Sequence, residues 1–135
     1  MATRASIRIV QRLILGKSNR RTKCVINLYH HWDGNPEYVG KKIKKYLKDT
    51  WCESAGGWFA ETIATEIVQG AIKEIDRRSG EEVPDLGYKV SSCVHGDINY
   101  GYEIDCDAMT LKCYRFPYGS DKTVWKEEYL VEIPD

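Results

Sequence analysis

The sequence predicts an α+β fold: an antiparallel sheet of about six strands, in the order β-β-α-α-β-β-β-β, with two helices packed on one face. Three observations carry this reading. Apolar residues recur at period two near both ends of the chain. Across the middle they recur at period 3.6. The changes of period fall at turns rich in Gly, Pro and Asp. The chain has 135 residues, of which 42% are hydrophobic and 30% charged. One core-forming domain over residues 1–135 is therefore expected, and a disordered chain is excluded.

The first strand is expected over residues 5–15, where Ile7, Ile9, Leu13 and Leu15 share one face and Arg8 and Arg12 the other. Residues 16–22 are polar and turn-like. Gly16-Lys17-Ser18 lacks the upstream glycine of a phosphate-binding loop. The β-branched and aromatic run at 23–31 predicts a second strand, paired with the first as a hairpin. Asp33-Gly34 then predicts a turn in which Gly takes positive φ. Asn35 is a candidate N-cap, Pro36 suits the first helical position, and Glu37 favours the helix dipole. The first helix is expected to run to about Asp49, with Val39, Ile43, Tyr46 and Leu47 on its apolar face. Lys41, Lys42, Lys44, Lys45 and Lys48 cover the remainder.

Residues 50–57 read as a loop. A second helix is expected from about Trp58 to Arg77, its stripe running from Phe59 through Ile63 and Ile67 to Ile75. Gly70 inside it costs about 1 kcal/mol relative to Ala and points to close packing. Residues 79–87 form a charged loop. Strands are expected near 88–94, 98–105, 110–116 and 123–133, the last from the alternation of Trp125, Tyr129, Val131 and Ile133.

Twenty Lys and Arg balance twenty Asp and Glu, but unevenly along the chain. Residues 1–50 carry a net +9 and residues 51–135 a net −9. Unless the halves interleave, the molecule has a basic and an acidic face, which favours a charged partner or homo-oligomer formation. The five cysteines form no Cys-x-x-Cys pair and are expected to be reduced, acting as small hydrophobes. Cys106 and Cys113 are candidates to face each other across a hairpin. No spacing predicts a zinc site, and no cofactor is expected. No run approaches the ~18–20 apolar residues of a membrane span. Leu13-Ile14-Leu15 is too short for a signal-peptide core. The expectation is a mature N-terminus, no membrane partner and a cytoplasmic protein.

The most specific segment is Tyr29-His30-His31-Trp32-Asp33-Gly34-Asn35-Pro36. Alternation sends only one of His30 and His31 into the core. The other lies, with Trp32 and Asp33, where a strand meets a helix start and unpaired amides point outward. The purely structural alternative has Asp33 fixing the turn, His31 bonding locally and Trp32 covering the helix. A second His-x-Asp, His95-Gly96-Asp97, would complete a set of two imidazoles and two carboxylates with His31 and Asp33, a possible metal or acid–base site. Nothing in the sequence shows that the two segments meet. The lysine helix, with Tyr38 and Tyr46, suggests phosphate or nucleic-acid binding, against the simpler reading of a solvated helix face.

Residues 28–36, followed by Gly40, resemble small uncharacterised proteins frequent in phage and prophage genomes. Their common segment reads Tyr-x-His-Trp-Asp-Gly-Tyr-Pro, then Gly and a helix. Asn35 stands where that segment has Tyr. Gly56-Gly57 before Trp58, and Tyr100-Gly101-Tyr102, fit the wider outline. The resemblance implies a viral accessory protein in a host cytoplasm and implies no reaction. The resulting expectation is a non-enzymatic binder of a host protein or small ligand, with counter-defence as one such role. Its candidate contact residues are His31, Trp32, Asp33, Gly34, Tyr38, Lys41, Gly57 and Trp58. The rival is a metal-dependent hydrolase or nuclease using His31, Asp33, His95 and Asp97. A nucleic-acid binder through the lysine helix stands third.

Overall fold

The computed structural model describes residues 2–17, 19–53 and 57–135, with backbone alone for residues 51–53. Ala5–Ile14 (β1) and Arg21–His30 (β2) form the expected hairpin, in register from Ala5 opposite His30 to Ile14 opposite Arg21. A turn of π-helix at Pro36–Gly40 leads into Lys41–Glu53 (α1), and Ala60–Val68 (α2) follows. The later strands are Lys73–Ile75 (β3), Glu82–Pro84 (β4), Tyr88–Ser91 (β5), Tyr100–Asp105 (β6), Thr110–Arg115 (β7) and Leu130–Val131 (β8).

The main sheet has the order β5-β2-β1-β6-β7-β8. It is mixed rather than purely antiparallel, because β1 and β6 run parallel, with Ala5 opposite Tyr100 and Val10 opposite Asp105. A parallel pair needs a long crossover. Residues 15–99 supply one, passing through β2, both helices and β5. Both helices pack on one face. Val39, Ile43 and Leu47 from the first helical segment and Ala60, Ile63 and Ile67 from α2 close over Ala5, Ile7, Ile9, Leu28, Tyr102 and Ile104. Each Val, Leu or Ile side chain among them contributes about 1.5–3 kcal/mol on burial.

The second helix is shorter than its periodicity predicts, ending at Val68 rather than near Arg77. Gly70 is not a packing defect inside it but its terminator. It takes φ +94°, and the Gly70 and Ala71 amides donate back to the carbonyls of Ile67 and Glu66. That is the Schellman closure. A Cβ at Gly70 would lie 2.6 Å from Pro84 Cβ. The apolar spacing misleads because Ile72 is still buried although the chain has turned, whereas Ile75 is exposed on β3. The charged loop at 79–87 contains β4, which pairs with β3 as a separate two-stranded sheet.

The predicted strand at 123–133 shrinks to β8. Glu127–Tyr129 is a 3-10 turn, and Trp125 precedes it outside the sheet. Their aromatic side chains instead cover the second face of the sheet, packing with Ile98, Tyr114 and Phe116. Gly101 makes this possible, since a Cβ there would lie 2.6 Å from the Trp125 ring. The Arg8 guanidinium stacks 3.9 Å from that ring and pairs with Glu103. The remaining predicted strands at 88–94, 98–105 and 110–116 each lose one to three terminal residues.

The two charged halves interleave: Arg8 pairs with Glu103, Arg4 with Asp97, and Lys44 with Asp135. Cys106 and Cys113 are both buried and free, and they do not face each other, because Cys113 lies opposite Tyr102. Burial pushes each thiol up to about 12. Cys93 is exposed rather than a buried hydrophobe, and the Cys52 side chain is outside the described residues. Among the described residues no helix is long and apolar enough to cross a membrane.

Candidate functional site

At the end of β2 the chain reverses through residues 31–35. His30 is the histidine that enters the core. Its Nε2 lies 2.8 Å from Asp85 Oδ2, and its ring sits 4.3 Å from that of Tyr88. Burial alone would raise the Asp85 carboxyl. Hydrogen bonds with His30 and from the Gly87 amide outweigh it and hold the group below the usual carboxylate value. The pair therefore ties the segment after β4 to the sheet. His31 points the other way, with Nδ1 3.0 Å from Tyr29 Oη and its ring edge-on to Trp32.

The corner itself departs from the expected turn chemistry. The residue with positive φ is Asp33, at 52°. Asp tolerates this better than most residues, because its short polar chain suits the left-handed region. Gly34 serves close approach instead: a Cβ there would lie 2.9 Å from both Ala5 Cβ and the Thr3 carbonyl oxygen. The Gly34 amide donates to Thr3 O at 2.9 Å, and the buried Tyr102 hydroxyl donates to Gly34 O at 2.6 Å. The Asp33 carbonyl accepts from the Val39 amide, and the Asn35 carbonyl from that of Tyr38. Asn35 makes no side-chain cap, and its Oδ1 is buried without a partner. Pro36 is buried at the first helical position, as its fixed φ suits.

These contacts separate the predicted contact residues into groups. Gly34 is buried, so its backbone is committed to the fold. Trp32 does not cover the helix: it is 61% exposed, and Tyr38 is 53% exposed. Asp33 and Lys41 are exposed with them at the start of the helical segment. Trp58 lies elsewhere. Gln11 clamps it, donating to the Trp58 carbonyl and accepting from the Ala60 amide, and its indole N–H is buried without an acceptor. Gly57 takes φ +93° beside it, and Gly56 falls outside the described residues. Trp58 thus sits beside Gln11 on β1, whereas the corner packs on Thr3 and Ala5 at the strand's other end.

The two His-x-Asp segments do meet, which the sequence could not show. The His95 ring stacks 4.1 Å from the Tyr29 ring, and Arg4 Nε lies 3.4 Å from both His31 Nδ1 and Asp97 Oδ2. The meeting is organised by Tyr29 and Arg4 rather than by converging donors. Asp33 takes no part in it. Among the described residues no group of three or more His, Cys, Asp or Glu is placed to hold a metal ion.

Two clefts border these elements. A polar one of about 760 Å³ adjoins the corner through Thr3 and Asn35 and includes Asp97, Asn99, Arg115 and Lys122. A larger one of about 950 Å³ runs between α1 and the β7–β8 edge, and Trp58 forms part of its wall. Sequence reasoning found Trp58 but missed Met109, Leu111, Lys112 and Val131 on the opposite side, since nothing local marks residues of a later hairpin as neighbours of a helix. Compared with protein families, curated proteins and solved structures, the chain matches none.

Proposed function

We propose that the protein acts by binding rather than catalysis, capturing a partner protein of acidic surface on the face formed by the corner and α1. The observation that supports this most is Trp32, 61% exposed at a corner whose Gly34 is hydrogen-bonded to Tyr102 and Thr3. A large aromatic on a preorganised backbone loses little freedom on docking and is a common interface anchor. Tyr38 adds a second exposed ring. Lys41, Lys42 and Lys45 follow on α1, none of which forms an ion pair among the described residues. Acidic side chains of a partner would complement them and accelerate encounter. An accessory role in a phage, including counter-defence in a host cytoplasm, belongs to this proposal and rests on the resemblance of residues 28–36.

The same lysines beside exposed aromatics also favour a second reading, capture of single-stranded nucleic acid by stacking and phosphate contacts. Two measurements separate them. A labelled oligonucleotide titrated at rising salt shows a steep loss of affinity if nucleic acid is the ligand. Affinity enrichment with wild type, Trp32→Ala and Tyr38→Ala tests the protein partner, which both variants should lose while staying folded. Enrichment unchanged by both variants removes the reading.

A further inference from the structure

Arg4 sits at the joint between the corner and the start of β6, and its backbone is tied there. Its amide donates to Asn99 Oδ1 at 3.0 Å, and its carbonyl accepts from the Asn99 and Tyr100 amides. Its guanidinium Nε lies 3.4 Å from both His31 Nδ1 and Asp97 Oδ2. Tyr29 Oη lies 3.0 Å from the same His31 nitrogen. A guanidinium can only donate. Burial first, then Asp97, pushes the Tyr29 hydroxyl above its ordinary value, so it keeps its proton and can donate too. His31 Nδ1 is therefore the acceptor, which places the ring proton of neutral His31 on Nε2. The same ring meets Trp32 edge-on, with centroids 4.7 Å apart.

We propose that His31 is a proton-operated catch on Trp32, holding the indole while the imidazole is neutral and releasing it once the imidazole is protonated. Protonation turns Nδ1 from an acceptor into a donor. The Tyr29 hydroxyl can rotate to accept the new proton, but the Arg4 guanidinium cannot, and it carries a like charge. Arg4 is retained by Asp97 and by its backbone, so the imidazole is the group that turns, and its edge contact with Trp32 goes with it. The neighbouring groups do not act in its place. His95 stacks on Tyr29 at 4.1 Å, where positive charge over the phenol face is favoured, so its protonation tightens the stack. Asp97 is occupied by Arg4, and Asp33, next along the chain from Trp32, is exposed. His30 is turned into the core against Asp85. As regulation of binding, the catch rests on Trp32 being the anchor for a partner; as a property of the side chain, it does not.

The test is nuclear magnetic resonance of the nitrogen-labelled full chain from about pH 8 to about pH 5, a range that spans the charge change of ordinary histidines and leaves ordinary carboxylates ionised. It needs no partner, so it and the enrichment experiment can fail separately. At the upper end, the His31 ring nitrogens should report a proton on Nε2. On acidification, the Trp32 indole resonance should shift with the same midpoint as His31. His31→Asn, whose carbonyl accepts but never protonates, should abolish that shift, and His95→Gln should leave it. Arg4→Met, which removes the like charge, should reduce it at least twofold. A proton on Nδ1 at the upper end, or a Trp32 resonance that stays still while His31 titrates, would overturn the catch. So would an equal shift in His31→Asn or in Arg4→Met. The first two readings use wild type alone and decide the matter even where a variant fails to fold.

Discussion

The Tyr102 hydroxyl is the most informative single group to remove, because it links the sheet to the corner that presents Trp32. Tyr102 is fully buried and donates to the Gly34 carbonyl at 2.6 Å. Tyr102→Phe keeps the ring and deletes the donor, leaving that carbonyl without this partner. An unsatisfied buried acceptor costs about 1–3 kcal/mol. For a chain of this length, each kcal/mol lowers the unfolding midpoint by about 4 °C, so a drop of about 8 °C is expected near the middle of that range. Gly34→Ala approaches the same contact from the other side. Its methyl would sit 2.9 Å from Ala5 Cβ and from the Thr3 oxygen, an overpacking cost of about 1–3 kcal/mol. Both changes loosen one joint, so the double variant should lose less than the sum. Thermal unfolding by circular dichroism, with exposed Tyr38→Phe as the control, reads all four. A Tyr102→Phe midpoint within about 2 °C of wild type would refute the reasoning.

Other consequences follow from the same geometry. Asp85 is held below its usual value in the fold, so its contribution is complete above the unfolded carboxylate pKa of about 4 and is lost as pH falls through the lower folded value. Urea midpoints of wild type should fall below pH 4, whereas Asp85→Asn should start about 2 kcal/mol lower at pH 7 and show a shallower acid limb. Equal acid slopes would count against the His30–Asp85 tie. Gly101→Ala should cost about 1–3 kcal/mol, since the Trp125 ring lies within 2.6 Å of the added methyl. Its tryptophan emission should shift to the red as the indole is displaced, and unchanged emission would contradict the packing. In a Cys52→Ser background, a thiol reagent at pH 8 should label Cys93 quickly, while Cys106 and Cys113, buried and pushed up to about 12, should react only on unfolding. Rapid labelling of all the cysteines would be inconsistent with the core described.

Much of the architecture was legible because local pattern and tertiary demand agree. The alternation of Ile7 and Ile9 against Arg8, and the 3.6 spacing of Val39, Ile43 and Leu47, report burial faces directly. The errors arise where one apolar residue serves two descriptions. Ile72 continues the helical stripe in sequence but is buried after the chain has turned at Gly70. Trp125 and Tyr129 alternate like strand residues yet fold back as a lid over Gly101 and Phe116. The corner was legible as a turn, but its mechanism was not. Whether Gly serves positive φ or close approach depends on Thr3 and Ala5, which no local window contains. The convergence of Tyr29, His31, His95 and Arg4 was hidden for the same reason, as was the far wall of the Trp58 cleft.

Affinity enrichment by wild type and Trp32→Ala, with the unfolding midpoint measured for each, probes the binding role most directly. The two proteins should unfold within about 0.5 kcal/mol of each other, because an exposed side chain is being truncated, and the variant should lose the acidic polypeptide that wild type retains. An identical captured set from two equally stable proteins would contradict a binding face at this corner.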